Sequence, residues 1–62
     1  MQKVLLVFPD VTTMAEFVVK QQVNNAEVNS LEQTLVATIR DEQIEVAEKI
    51  YGAFLKSIIP KN

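Results

Sequence analysis

Asp10, Thr12 and Thr13 stand together just after Pro9, and they are the polar side chains of this sequence best grouped for joint chemistry. A carboxylate and two hydroxyls at the start of a helix, beside free backbone N–H groups, can hold a small polar or anionic ligand. The same residue types also cap helix N-termini, and Asp10 would itself repel an anion. Ligand binding by Asp10, Thr12 and Thr13 is therefore an expectation set against plain capping.

Glu42, Glu45 and Glu48 form the second group, with Glu45 and Glu48 on adjacent helical turns. Three carboxylates can hold a hard cation or share a proton, but Lys49 lies among them and an open helix face offers no enclosure, which favours a solvated surface. Tyr51, the single tyrosine, can donate a hydrogen bond, although its register with Ile44, Ala47 and Ile50 places it at the edge of a core. The chain has no His and no Cys. That removes the commonest general base, the thiol nucleophile, the disulfide and the usual zinc ligands. The single glycine, Gly52, excludes a glycine-rich phosphate loop. No catalytic residue, metal ligand or cofactor is expected, and the chain reads as a non-enzyme.

The 62 residues are 48% hydrophobic and carry six basic and eight acidic side chains, for a net charge of −2. Apolar content this high indicates a folding domain, and one domain over residues 1–62 is expected. The interspersed charge argues against nucleic-acid and anionic-membrane partners. The apolar run Val4 to Phe8 is too short for a signal segment or a membrane span, so the reading is a cytoplasmic protein. A core this small, with neither disulfide nor metal, also favours self-association or a protein partner.

Apolar periodicity supplies the elements that must position these groups. Lys3 to Phe8 is apolar on both alternating faces and ends at Pro9, the pattern of a central strand. Thr13 to Glu16 has capping-box spacing, and Asp10 offers an N-cap three residues earlier, so a helix is expected from about Val11 to Gln22. Its stripe would be Val11, Met14, Ala15 and Val18, with Phe17 beside them. Ala26 to Leu31 reads as a polar edge strand and Thr34 to Ile39 as an alternating strand, with Glu32-Gln33 as the hairpin connection. Asp41 is the expected N-cap of a second helix, whose buried face would hold Ile44, Ala47, Ile50 and Tyr51. Gly52 suits a left-handed residue beyond its end, leaving Ala53 to Ile59 as a last strand stopped by Pro60. The alternative carries the helix on through Gly52 to Ile58, at about 1 kcal/mol for an internal glycine, and yields βαββα.

The preferred order, β-α-β-β-α-β, is α+β and ferredoxin-like: a four-stranded antiparallel sheet with both helices on one face and the first and third strands central. In element order and length the chain resembles two small families of that fold, the heavy-metal-associated domains and the ACT-type regulatory domains. The first family carries a Cys pair in the loop after the first strand, where this chain has Pro9-Asp10-Val11-Thr12-Thr13, so soft-metal binding does not carry over. ACT-type domains bind amino acids around that same loop, often with a glycine after a Pro or Asp. Pro9-Asp10 is similar to that pattern, with Val11-Thr12 where the glycine would be, and the resemblance implies a small-metabolite ligand near Asp10, Thr12 and Thr13.

A sheet with helices on one face shows its other face to solvent. That face must expose either Leu5 and Val7 or Val4, Leu6 and Phe8, together with either Leu55 and Ile59 or Phe54 and Ile58. A contiguous apolar patch marks an interaction surface. The expected function is a non-catalytic interaction module that self-associates through its sheet face, or through the edge strand Ala26 to Leu31. The alternative is an ACT-like metabolite-binding regulatory domain.

Overall fold

In the computed structural model, which describes residues 1–60, the strand of apolar residues after the first methionine is β1 (Gln2–Val7), followed by helix α1 (Val11–Lys20). A short strand β2 (Glu27–Asn29) turns into β3 (Thr34–Ile39), and helix α2 (Asp41–Lys49) leads to β4 (Phe54–Ile59). The sheet order is β2-β3-β1-β4 and every neighbouring pair is antiparallel. This is the expected ferredoxin-like arrangement, with β1 and β3, the strands whose alternate residues are buried, at the centre. The alternative long C-terminal helix does not form. Gly52 takes φ +69 and the Ala53 N–H closes back on the Ala47 carbonyl at 2.9 Å, so the chain leaves α2 and enters β4.

The core lies between the sheet and the helices. Val4, Leu6, Phe8, Leu35, Ala37 and Ile39 face Met14, Phe17, Ile44, Ala47 and Ala53. Phe17 sits at its middle, tilted against Phe8 with ring centroids 5.5 Å apart and edge-on to Tyr51 at 5.4 Å. Each such aromatic pair adds about 0.5–1.5 kcal/mol beyond its buried area. Tyr51 is half-buried, at the core edge as its register implied.

Several local expectations are corrected. The buried face of α1 is Met14 and Phe17 with Val18 partly covered, while Val11 and Ala15 are exposed. Val11 falls in the first turn, beyond the sheet's cover, and Ala15 is rotated one residue away from the Met14 line. The helix also stops at Lys20, before Gln22. Gln22 adopts φ +52, the Val23 N–H donates to the Val18 carbonyl at 3.0 Å, and the Gln22 N–H donates to Val19 at 3.3 Å. That is a Schellman ending built without glycine. Strand β2 is half the expected length. The Asn29 Oδ1 accepts from the Glu32 N–H at 3.2 Å and Gln33 takes φ +58, so Ser30 to Gln33 form the loop and Leu31 is 97% exposed at its tip. Asp41 is not the N-cap of α2. Arg40 holds that position in extended conformation, and Asp41, in the first turn, has its Oδ1 accepting from Gln2 Nε2 at 2.7 Å. Ile50 is 71% exposed, because α2 ends at Lys49 and the chain turns off the core face.

Candidate functional site

The registers place every outward side chain of the sheet. Val4 pairs with Ala37 and Leu6 with Leu35 on the buried side, so Lys3, Leu5 and Val7 of β1 face away from the helices with Thr38, Val36 and Thr34 of β3. On β4, Phe54 stands opposite Val7, Ser57 opposite Leu5 and Ile59 opposite Lys3. Strict alternation cannot put Phe54 and Ile59 on one face, since they are five positions apart in sequence. The register shift between Leu5 and Leu6 does so by absorbing Lys56 as a bulge residue. The expected sets, Leu55 with Ile59 or Phe54 with Ile58, are thus both replaced by Phe54 with Ile59.

The result is a contiguous apolar surface of Leu5, Val7, Val36, Phe54 and Ile59. Phe54 is 65% exposed and the other four are half-buried by their neighbours. Lys3 and Glu27 bring one charge of each sign to its margin, and Thr34, Thr38, Asn29 and Ser57 complete the polar rim. A central strand apolar on both faces normally lies between two layers. Among the described residues only one layer is present, and the second apolar face of β1 is uncovered.

The loop after β1 does bring Asp10, Thr12 and Thr13 together. Asp10 is the N-cap of α1, its Oδ1 accepting from the Thr13 N–H at 2.7 Å. That backbone bond, helped by the Thr13 side chain and the Thr12 N–H, holds the Asp10 carboxyl below its ordinary value. Asp10 and Thr12 are exposed and Thr13 is half-buried. Of the two N-caps the sequence offered, Asp10 is the one used, and its carboxylate is engaged by the helix it starts.

Glu42, Glu45 and Glu48 are exposed, and Glu45 meets Lys49 at 3.9 Å. No group of three His, Cys, Asp or Glu residues among the described ones could hold a metal ion. Among the described residues no helix is long and apolar enough to cross a membrane.

Sequence reasoning passed over Gln43. It is buried, its Oε1 accepts from the Arg40 N–H at 3.0 Å, and its Nε2 donates to the Gln21 carbonyl at 3.1 Å. The Gln at the third helical position was a legible signal for the first bond. Nothing local pointed to the second, which joins residues 22 apart. Comparison of the chain with protein-family models, with curated proteins and with solved structures finds no match.

Proposed function

We propose that this chain is a non-catalytic self-association module whose outward sheet face stacks on the same face of a second copy. The observation that supports this reading is the uncovered apolar surface of Leu5, Val7, Val36, Phe54 and Ile59. Exposed clusters of this kind are interaction sites in stable proteins.

Both sheet edges are poorly suited to the competing route, main-chain pairing. The β2 edge offers three residues. The β4 edge is broken by the bulge at Lys56, carries that lysine's charge, and is followed by Pro60. Short strands, bulges, lysines and prolines are the usual devices that keep sheet edges from pairing. Three six-residue strands and the three-residue β2, about 4.8 Å apart at about 3.3 Å per residue, make a face of roughly 350 Å². Two stacked copies then bury roughly 700 Å², below the about 1,000 Å² of a stable specific interface, which corresponds to a weak, concentration-dependent dimer.

Sedimentation equilibrium over a wide concentration range tests the reading. The expected result is a monomer–dimer equilibrium that the double variant Leu5→Asp/Val36→Asp abolishes while keeping its fold by circular dichroism. A double variant that retains the dimer mass would transfer the interface to an edge, and a wild-type chain monomeric at high concentration would end the proposal.

A further inference from the structure

A second surface feature lies off the sheet face. Where the end of α1 meets the start of α2, beside the end of β3, the surface carries an open hollow of about 450 Å³. Small-molecule sites span roughly 300–1,000 Å³. Beside Met1, Val23 and Ile39, the residues that line it are polar: Gln21, Gln22, Asn24, Asn25, Gln43, Thr38 and Arg40, the last bearing the one charged side chain. No carboxylate and no aromatic ring lines it. In a chain of net charge −2, the single charged side chain along this hollow is positive.

Two features hold the hollow in shape. Gln43 ties the helices together through its bonds to Arg40 and Gln21, so its own amide is spent on structure. The segment from Gln22 to Asn25 is set by the Schellman ending and by the left-handed backbone of both those residues. The side-chain amides of Gln21, Gln22, Asn24 and Asn25 and the Arg40 guanidinium make no hydrogen bond or ion pair to another described residue.

The chemistry of that lining narrows the ligand. Each carboxamide presents a donor and an acceptor, which matches hydroxyl groups, themselves both donor and acceptor. A guanidinium is the side chain suited to a phosphate or carboxylate, which it meets in a two-pronged bond. A nucleobase would find no ring to stack on. We propose that the hollow binds a hydroxylated small organic anion of the sugar-phosphate or sugar-acid class, with Arg40 on the anionic group and the amides of Gln21, Gln22, Asn24 and Asn25 on the hydroxyls.

The test is a titration of the ¹⁵N-labelled full chain with ribose 5-phosphate, gluconate, ribose and inorganic phosphate, followed by amide chemical shifts. Ribose 5-phosphate or gluconate should give saturable shifts confined to Gln21–Asn25 and Arg40–Gln43, and whichever saturates first identifies the anionic group. Ribose should bind about tenfold or more weakly, as should either anion to Arg40→Gln, with Arg40→Lys recovering part of the loss. Inorganic phosphate that binds as well as the hydroxylated anions would overturn the assignment of the amides. The proposal as a whole fails if neither anion saturates by about 10 mM, or if Arg40→Gln binds like the wild type. Neither Leu5 nor Val36 lines the hollow, so the Leu5→Asp/Val36→Asp chain should titrate in the same way whatever its oligomeric state.

Discussion

Gln43 and Gln21 are joined side chain to backbone across the two helices, with Gln43 Nε2 donating to the Gln21 carbonyl at 3.1 Å. Gln21 is the C-cap of α1 and Gln43 the third residue of α2, so one buried amide closes the end of one helix and, through Oε1 and the Arg40 N–H, the beginning of the next. Helix ends leave backbone groups without intrahelical partners, and burying them unpaired is costly. Gln43→Leu keeps the volume and removes both bonds. We expect it to cost about 1–3 kcal/mol. For a domain of this size that lowers Tm by about 4–8 °C per kcal/mol, measurable by thermal unfolding followed by circular dichroism.

Phe54 separates association from stability. It lies on the outward face opposite Val7 and is largely exposed, so its truncation removes little from the core. An aromatic side chain that becomes buried in an interface commonly contributes about 1 kcal/mol or more to binding. Phe54→Ser is expected to weaken self-association about tenfold while leaving the monomer's urea midpoint nearly unchanged. A drop in midpoint without a change in association constant would assign Phe54 to the monomer core.

The Asp10 carboxyl links folding to pH. Hydrogen bonds from Thr13 and Thr12 lower its folded-state value below the 3.8 of a free side chain. Its contribution is therefore fully present above that unfolded-state value and is lost as pH falls through the lower folded-state value. Asp10→Ala should unfold several degrees earlier than the wild type at pH 7. That gap should narrow at pH values below 3.8, as the wild-type carboxyl protonates. Thermal scans of the two chains at matched pH values provide the check, and a constant gap would separate Asp10 from the acid dependence.

Gly52 is the hinge between α2 and β4. A Cβ there would meet Pro9 Cγ at 3.8 Å, an ordinary contact, so the cost of a side chain lies in the φ of +69 and not in a collision. Left-handed backbone costs an L-residue about 1–2 kcal/mol. Gly52→Ala should lose that much in urea unfolding with an unchanged m-value, and Gly52→Asn should lose less, because asparagine tolerates this conformation.

What the sequence determined by itself was set by local signals. Pro9 and Pro60 end the first and last strands of the chain, the doubly apolar run of β1 demands the middle of a sheet, and Gly52 marks where the second helix ends. Together these lead to the element order and to the ferredoxin-like sheet, because strand and helix periods and turn residues act over a few positions. Tertiary structure decided the rest. Which side of β1 faces out, and the bulge at Lys56 that puts Phe54 and Ile59 on that side, depend on pairing between strands far apart in the chain. The exposure of Val11, Ala15 and Ile50 follows from where the helices stop and what covers them, which periodicity alone does not carry. The Gln43 bridge and the amide-lined hollow beside it arise only when the end of α1 and the start of α2 are brought together. Side-chain alternation is a property of one strand, whereas register, cover and junctions between elements are properties of the packed whole.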